Sequence, residues 1–559
     1  MRPGDVVYQI YPRSFADGNG DGIGDLAGVL QRLDHLSDLG VDVVWLSPIY
    51  PSPQDDNGYD ITDYQDVDPV FGTLDQLREV LAALHSRGIR LIMDLVVNHT
   101  SDEHPWFVQS RSGPESPRRD WYWWRPPREG MTAGEPGAEP NGWTSYFSGS
   151  AWELDEASGE YYLHLFSRKQ PDLNWENPEV RQAVYAMMRW WLDLGVDGFR
   201  MDVINMISKW TGPEMGPGES DEPHFLCGPR IHEFLQEMHR EVFEGRPNAE
   251  DLLTVGEMPE VTVDQARLFT DPVRREVDMV FQFEHVRLDF EEVKWRRKPL
   301  RVKDLKASLG RWQDGLADVG WNSLYWSNHD QPRAVSRFGD DSPEFRRTSA
   351  TCLATVLHLH RGTPYVYQGE ELGLANFPFE GIDTFHDIET LNYYLENVAG
   401  QADPAQLLRA IRTASRDNAR TPMQWDDGPN AGFTTGAPWI AVNPDYPVWN
   451  AEAQRSDPTS VLAHYRRLIA LRHELPVIQI GRFTMLVPEH EQLYAFTRTL
   501  ADDQLLVLGN LGRTPVDLAN VLPLAARRHE VLLANVADGD PAVLGAWEAR
   551  VVRLASNAS

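Results

Sequence analysis

Cysteine is almost absent from this chain: Cys227 and Cys352 are the only two in 559 residues, they lie far apart, and neither belongs to a CxxC or Cys/His grouping. That argues against a disulfide framework and a thiolate metal site, and makes the cytoplasm the expected compartment. Long apolar runs are missing too. No stretch approaches the roughly 20 residues that a membrane-spanning helix needs, and Met1-Arg-Pro-Gly-Asp5 lacks the apolar segment of a signal peptide. Basic charge is scarce: 52 Lys plus Arg stand against 84 Asp plus Glu, a formal net charge of −32. Such a surface repels nucleic acid and anionic membranes, so neither is an expected partner and a neutral small molecule is. A monomer or small homo-oligomer is the expected state.

What is present is a repeat of short apolar runs. Candidate strands fall at 6–11, 41–46, 89–97, 196–203, 252–257, 277–283, 324–328 and 364–368. Helix-period stretches such as 74–85 and 179–194 alternate with them, which predicts eight βα units closed into a (β/α)₈ barrel. Between the third and fourth strands lies a 101–170 insertion rich in Trp, Pro, Gly and Arg. A βα loop of that length reads as a functional lobe. A polar excursion with helical patterns follows the eighth strand, near 376–427. From about 476 to the end the pattern changes to alternating strands, which predicts a separate antiparallel β domain. The barrel is thus expected over 1–100 and 171–475.

Three of the strand ends carry acids. In Gly198-Phe-Arg-Met-Asp202 the period of two puts Arg200 and Asp202 on one face, so the guanidinium is expected to keep the carboxylate ionised, as a nucleophile requires. Glu257 follows an apolar run and a glycine, a setting for a partly desolvated general acid. Asn328-His-Asp330 adds a third. Taken alone, an Arg-x-Asp on a strand is more often a structural ion pair, and a strand-end Glu more often caps a neighbouring loop. Acids at the ends of strands four, five and seven, however, converge on the rim where barrel active sites lie. One ionised and one protonated carboxyl about 5 Å apart are the equipment of retaining glycoside hydrolysis. The 19 Trp suit a sugar ligand, although most must be core.

The segment Asp17-Gly-Asn-Gly-Asp-Gly-Ile-Gly-Asp25 sets oxygen side chains at alternate positions with glycine between them, as calcium loops do, but Gly28 stands where an EF-hand has its bidentate Glu. A structural Ca²⁺ or Mg²⁺ held by Asp17, Asn19, Asp21, Asp25 and the Ile23 carbonyl is expected; a metal-free turn is the alternative.

At these residues the chain resembles the α-amylase family of glycoside hydrolases, in its oligo-1,6-glucosidase and α-glucosidase branch. The matching motifs are Asp94-Leu-Val-Val-Asn-His99, Gln170-Pro-Asp-Leu-Asn174, Gly198-Phe-Arg-Met-Asp-Val203, Glu257 in Val-Gly-Glu-Met, and Asn328-His-Asp330, in the family's order. The resemblance implies a catalytic barrel, the insertion as domain B, and a terminal β-sandwich as domain C. It implies Asp202 as nucleophile, Glu257 as acid/base and Asp330 as transition-state stabiliser. Arg200, His99 and His329 would hold the glucose at subsite −1. Asp56 would grip the hydroxyls of the non-reducing end with Arg416 as its partner, and Tyr59 would be the stacking platform. Val203 after the nucleophile is similar to the residue of α-1,6-acting members, Lys294 and Glu389 resemble subsite +1 residues, and Phe147, Phe166 and Gln170 fall where the family lines its entrance.

The resemblance therefore implies a retaining, exo-acting α-glucosidase for short α-glucosides, chiefly α-1,6-linked. Glucosyl transfer or sucrose isomerisation is the alternative on the same fold, and Arg287-Leu-Asp-Phe-Glu291 only partly resembles the loop of sucrose isomerases. A catalytically inactive interaction subunit is the alternative of another class, opposed by the retention of all three acids.

Overall fold

The computed structural model describes residues 2–210, 224–526, 529–537 and 539–555. Eight parallel strands form one sheet: β1 Val7–Ile10, β2 Val43–Leu46, β3 Arg90–Val96, β4 Gly198–Asp202, β5 Leu253–Glu257, β6 Met279–Phe281, β7 Ser323–Leu324 and β8 Thr363–Tyr367. The order runs β7-β8-β1-β2-β3-β4-β5-β6, and a parallel bridge from Val280 to Asn322 brings the two edges together into a barrel. Closure removes exposed edges, so these strands can be apolar on both faces, and β1, β2, β3 and β4 are buried throughout.

Local sequence explains the connecting helices. Thr73 and Gln76 form a reciprocal capping box at the start of Leu74–His85, whose Leu77, Val80, Leu81 and Leu84 recur at helical spacing and are buried. Pro178–Leu194 begins with Asn177 as cap and proline in its first turn, and ends at Gly195 in the left-handed region. The glycine that opens β4 is required: at φ +145, a Cβ on Gly198 would meet the Leu253 carbonyl oxygen at 1.9 Å. That close approach sets the register that follows, with Arg200 beside Asp94 on one side and Val255 on the other.

One strand is much shorter than its apolar run predicts. β7 stops after Leu324, because side chains take the backbone groups that a ladder would use: His285 Nε2 lies 2.7 Å from the Tyr325 carbonyl, and the Tyr325 hydroxyl donates to the Gln282 carbonyl at 2.7 Å. Released from the sheet, Asn328-His-Asp330 can bend over the rim.

The insertion contributes a three-stranded antiparallel sheet, Trp124–Arg125, Glu160–Leu163 and Trp152–Asp155 in that spatial order, with pairing that continues to Asp172 and Leu173. Its core of Trp123, Trp152, Tyr161 and Leu163 also takes in Val203 and Met206 from just beyond β4. The excursion after β8 is helical over Ile388–Ala399, Pro404–Ala414 and Asp417–Arg420.

A short helix occupies Pro476–Ile480, and strands begin at Arg482, six residues after the change in sequence pattern. The terminal antiparallel sheet runs Arg482–Leu486, Leu493–Leu500, Asp503–Asn510, Ala549–Leu554, His529–Ala534. Its alternation divides the core: Tyr494, Phe496, Leu505, Val507 and Val551 join the main core, while Leu493, Leu506, Leu508, Val552 and Leu554 face a small two-stranded sheet, Val516–Asp517 with Val543–Leu544. No helix among the described residues is long and apolar enough to cross a membrane.

Lys306, on the helix Val302–Gly315, ties this domain to the barrel. Its buried ammonium donates to the carbonyls of Val487, His490 and Leu493 at 2.7, 2.6 and 3.1 Å. Lys306→Met keeps the apolar stem and removes all three donors, so it is expected to cost about 2–4 kcal/mol. Calorimetric unfolding checks this; an unchanged midpoint contradicts it.

Candidate active site

One guanidinium organises the mouth of the barrel. Arg200 Nη1 lies 2.6 Å from both Asp94 Oδ1 and Asp202 Oδ1, and Nη2 lies 2.7 Å from Glu257 Oε2. The register of β3, β4 and β5 brings these groups together, and the charge rests 5.0 Å over the Trp45 ring. Burial opposes the cation, but Asp94, Glu257 and Asp202 together hold its pKa well above the ordinary value. Asp94 is held in turn by Trp45 Nε1 and the Tyr59 hydroxyl, each at 3.0 Å.

The expectation that Arg200 keeps Asp202 fully ionised needs correction. Burial raises the Asp202 pKa well above the carboxylate range, and although Arg200 lowers it, Glu257 and Asp94 push it up again. One positive charge shared by three carboxyls therefore leaves Asp202 holding its proton more tightly than a free carboxylate does.

The backbone explains how the pair is aimed. Val203 sits at φ 36, ψ 40, a strained conformation for a β-branched residue, and the sharp turn points its N–H at Glu257 Oε2, 3.2 Å away. With Arg200 on the same oxygen, Glu257 Oε1 remains free among the described residues, as does Asp202 Oδ2.

A second guanidinium builds the floor. Arg416 Nη2 reaches Asp56 Oδ1 at 3.1 Å, Nη1 reaches Asp330 Oδ1 at 3.2 Å, and Arg420 Nη2 adds a contact to the same Asp330 oxygen at 3.0 Å. His329 Nε2 lies 3.1 Å from Asp330 Oδ2. Desolvation opposes the charge on Asp330, but His329, Arg416 and Arg420 hold its pKa well below the usual range. Asp56, more deeply buried, is pushed up to about 7 by desolvation despite Arg416. Tyr59 stacks on His329 with ring centroids 5.2 Å apart. Burial lowers His99 to about 4, so it is a neutral imidazole at physiological pH.

Gln170 does not line the entrance. Fully buried, its amide donates to Asp56 Oδ2 at 3.1 Å and lies 3.2 Å from His99 Nε2, so it buttresses the floor from behind. Phe147 and Phe166 do line the cleft, with Phe147 4.9 Å from the Arg416 guanidinium and Phe166 5.1 Å from the His99 ring. Lys294 pairs with Glu389 on the opposite wall, and Val203 lies beside Asp202. The cleft is open to solvent at its mouth.

Sequence reasoning passed over Asp387, Arg420 and Tyr146 as site residues. The i,i+4 spacing of Arg416 and Arg420 around a short helix could have flagged the second arginine; nothing local marks Asp387, whose role depends on a fold that brings residues 56 and 330 to it.

The Asp17–Asp25 loop is closed by its own side chains. Asp17 accepts from the N–H groups of Asn19, Gly20 and Gly22, Asn19 from that of Asp21, Asp21 from that of Ile23, and Asp25 caps the helix Leu26–Gln31 through Gly28 N. Among the described residues no cluster of three or more His, Cys, Asp or Glu side chains with metal-ligand placement is found, so a cation in this loop would rely on Asn19 and the Ile23 carbonyl as well as on the aspartates.

Residues 9–481 match the family described as alpha amylase, catalytic domain. The chain is 54% identical to an oligo-1,6-glucosidase of Parageobacillus thermoglucosidasius, with 98% of each chain covered, and 46% identical to a glucan 1,6-alpha-glucosidase of Streptococcus pneumoniae, again with 98% of each covered. Among solved structures it resembles the trehalose-6-phosphate hydrolase of Bacillus licheniformis, with a TM-score of 0.91 at 44% identity, and an isomaltulose synthase of Klebsiella sp. LX3, with a TM-score of 0.93 at 41%, each covering 99% of both chains. With eight parallel strands, acids gathered at one rim and this match over most of its length, the chain belongs to the alpha-amylase family.

Proposed function

We propose that the chain is a retaining, exo-acting α-glucosidase that releases glucose from the non-reducing ends of short α-glucosides, chiefly α-1,6-linked ones such as isomaltose. The observation that carries this reading is the pair of carboxyls on one guanidinium, Asp202 and Glu257. So bridged, they stand at a separation on the order of 5 Å, too close for an attacking water between them and suited to a covalent intermediate.

Asp202 Oδ2 attacks C1 of the glucose while Glu257, as general acid, delivers a proton from Oε1 to the departing glycosidic oxygen. The acceptor sugar leaves, and Glu257, now ionised, takes a proton from the water that releases glucose. Asp330, held as an anion, binds sugar hydroxyls and favours the oxocarbenium-like state. Asp56 and Arg416 close the floor, which leaves room for one sugar at subsite −1 and supports exo action.

On the acceptor side Lys294, Arg297 and Arg287 all line the cleft, and each meets an acid, Glu389, Asp289 and Glu260 respectively, with Asp289 shared with Arg337 and Glu389 with Arg416. Solved relatives include isomaltulose and trehalulose synthases; among relatives at 46–54% identity, oligo-1,6-glucosidase and glucan 1,6-alpha-glucosidase names predominate over an alpha-glucosidase and a trehalose-6-phosphate hydrolase, each at 47%, and favour the 1,6-glucosidase reading.

The Asp17–Asp25 loop belongs to the same proposal as a site for Ca²⁺ or Mg²⁺. Its donors are all oxygen, and Asp17, Asp21 and Asp25 pair with no Lys, Arg or His among the described residues, although their side chains satisfy the loop's own N–H groups. We also take the chain to be a cytoplasmic monomer or small homo-oligomer, a reading that its two unpaired cysteines suit.

Asp202→Asn is expected to lower turnover on an aryl α-glucoside by at least about three orders of magnitude, and retention of a tenth of the activity would sink the assignment. Because the Asp202 pKa is raised and the nucleophile must be ionised, activity should fail as pH falls while still above the ordinary carboxylate value of about 4; a kcat/KM profile flat down to that pH contradicts the raised Asp202.

The aglycones of isomaltose and maltose diverge beside Val203, so isomaltose should outrank maltose in the wild type. Val203→Thr should move the kcat/KM ratio toward maltose by about 10-fold or more. A wild type that already prefers maltose removes the α-1,6 assignment and leaves the glucosidase intact.

If the loop holds a cation, excess chelator lowers the melting temperature before it alters the rate, and calcium or magnesium is found in the purified protein. No shift together with no metal identifies a metal-free turn.

A further inference from the structure

Asp387 does not itself line the cleft, yet its two carboxylate oxygens serve different structures. Oδ2 accepts from the Thr390 N–H at 3.2 Å and the Thr390 hydroxyl at 2.6 Å, which caps the helix Ile388–Ala399 that carries Glu389. Oδ1 accepts from Arg416 Nε at 2.8 Å and Nη2 at 2.6 Å. Arg416 is thereby gripped along the edge opposite its contact to Asp330. The Asp417 carboxylate fixes Asp387 by accepting the backbone N–H groups of His386 and Asp387 at 2.7 and 3.0 Å. The Asp387 side chain is wholly buried, and Arg420 stands 3.7 Å from the same oxygen.

A helix cap needs only one oxygen, and a surface arginine needs no such clamp. The second oxygen has a different consequence. An arginine facing Asp56, Asp330 and Glu389 at once has several arrangements open to it, and a glucose bound at the floor requires one of them. Asp387 selects that one before substrate arrives. We propose that Asp387 is a positioning residue for glucosyl transfer to Asp202: it orients Arg416 so that Asp56 and Asp330 are placed for the glucose at subsite −1, and through its helix cap it ties Glu389 on the acceptor side to the same anchor. This rests on the glucosidase reading above.

The test is Asp387→Asn in the full chain, since asparagine caps helices as well as aspartate does but cannot hold a guanidinium as an anion. A misplaced pocket floor is expected to lower kcat/KM by about 10- to 100-fold. The loss should be equal on an aryl α-glucoside and on isomaltose, because both place glucose at the same subsite, and competitive inhibition by glucose should weaken by a similar factor. The melting temperature should fall as well, because a wholly buried partner of Arg416 and Arg420 is lost, so a variant destabilised without touching the arginine is the control. Thr390→Val, which removes a bond to the capping oxygen and leaves the arginine-binding oxygen alone, should lower the melting temperature without changing glucose inhibition.

Asp387→Asn within about threefold of the wild type in both kcat/KM and glucose inhibition overturns the proposal. So does an equal loss in Thr390→Val, which would make the helix cap the whole of the role. A wild type inactive on every α-glucoside overturns the glucosidase reading and this proposal with it, whereas an active wild type with an indifferent Asp387→Asn removes the positioning role alone.

Discussion

A single positive charge inside a ring of strands has to serve three carboxyl groups, and much of the site's geometry follows from that shortage. Asp94, Asp202 and Glu257 all lie against the Arg200 guanidinium in a wall of apolar strands. Removing the arginine would leave buried anions unpaired, a loss that the interior cannot absorb. With the arginine present the negative charge still exceeds the positive, and the pKa of Asp202 is raised as a result. An electrostatic constraint on folding and the working state of the catalytic pair are therefore one requirement, met by the register of three neighbouring strands.

The pocket floor solves the opposite problem. Arg416 and Arg420 bring two positive charges to Asp56, Asp330 and Asp387, so Asp330 stays charged at any pH at which the enzyme would work. The guanidinium shared by three carboxyls leaves Asp202 with a raised pKa, whereas His329 and the two guanidiniums at the floor keep Asp330 an anion even though desolvation lifts its neighbour Asp56 to about 7.

The barrel was legible because period-two strands and period-3.6 helices leave their marks within short windows, as Leu74–His85 does with its capping box and buried stripe. The three acids were legible because each ends an apolar run. The β7 run was misread in length, since what shortens it is the His285 ring taking the Tyr325 carbonyl, a contact across 40 positions of chain. The Asp202 pKa was misjudged for a similar reason: the sequence sets Arg200 two residues away but hides that Asp94 and Glu257 compete for it. Gln170 was placed at the entrance by the family resemblance, yet the bridge between His99 and Asp172 draws it behind the floor. The left-handed backbone of Val203 has no signature at all, because nothing in the letters says that a valine must turn so sharply.

The central claim is that Asp202 forms a bond to glucose while Glu257 manages the proton. It is tested most directly by mixing Glu257→Gln with an activated fluorinated α-glucosyl donor, whose first step needs no acid, and mapping the adduct by peptide mass spectrometry. The account predicts one glucosyl unit per chain, carried on the peptide that contains Asp202. An enzyme that turns over such donors with no adduct, or carries the sugar on Glu257, Asp330 or another residue, would contradict it.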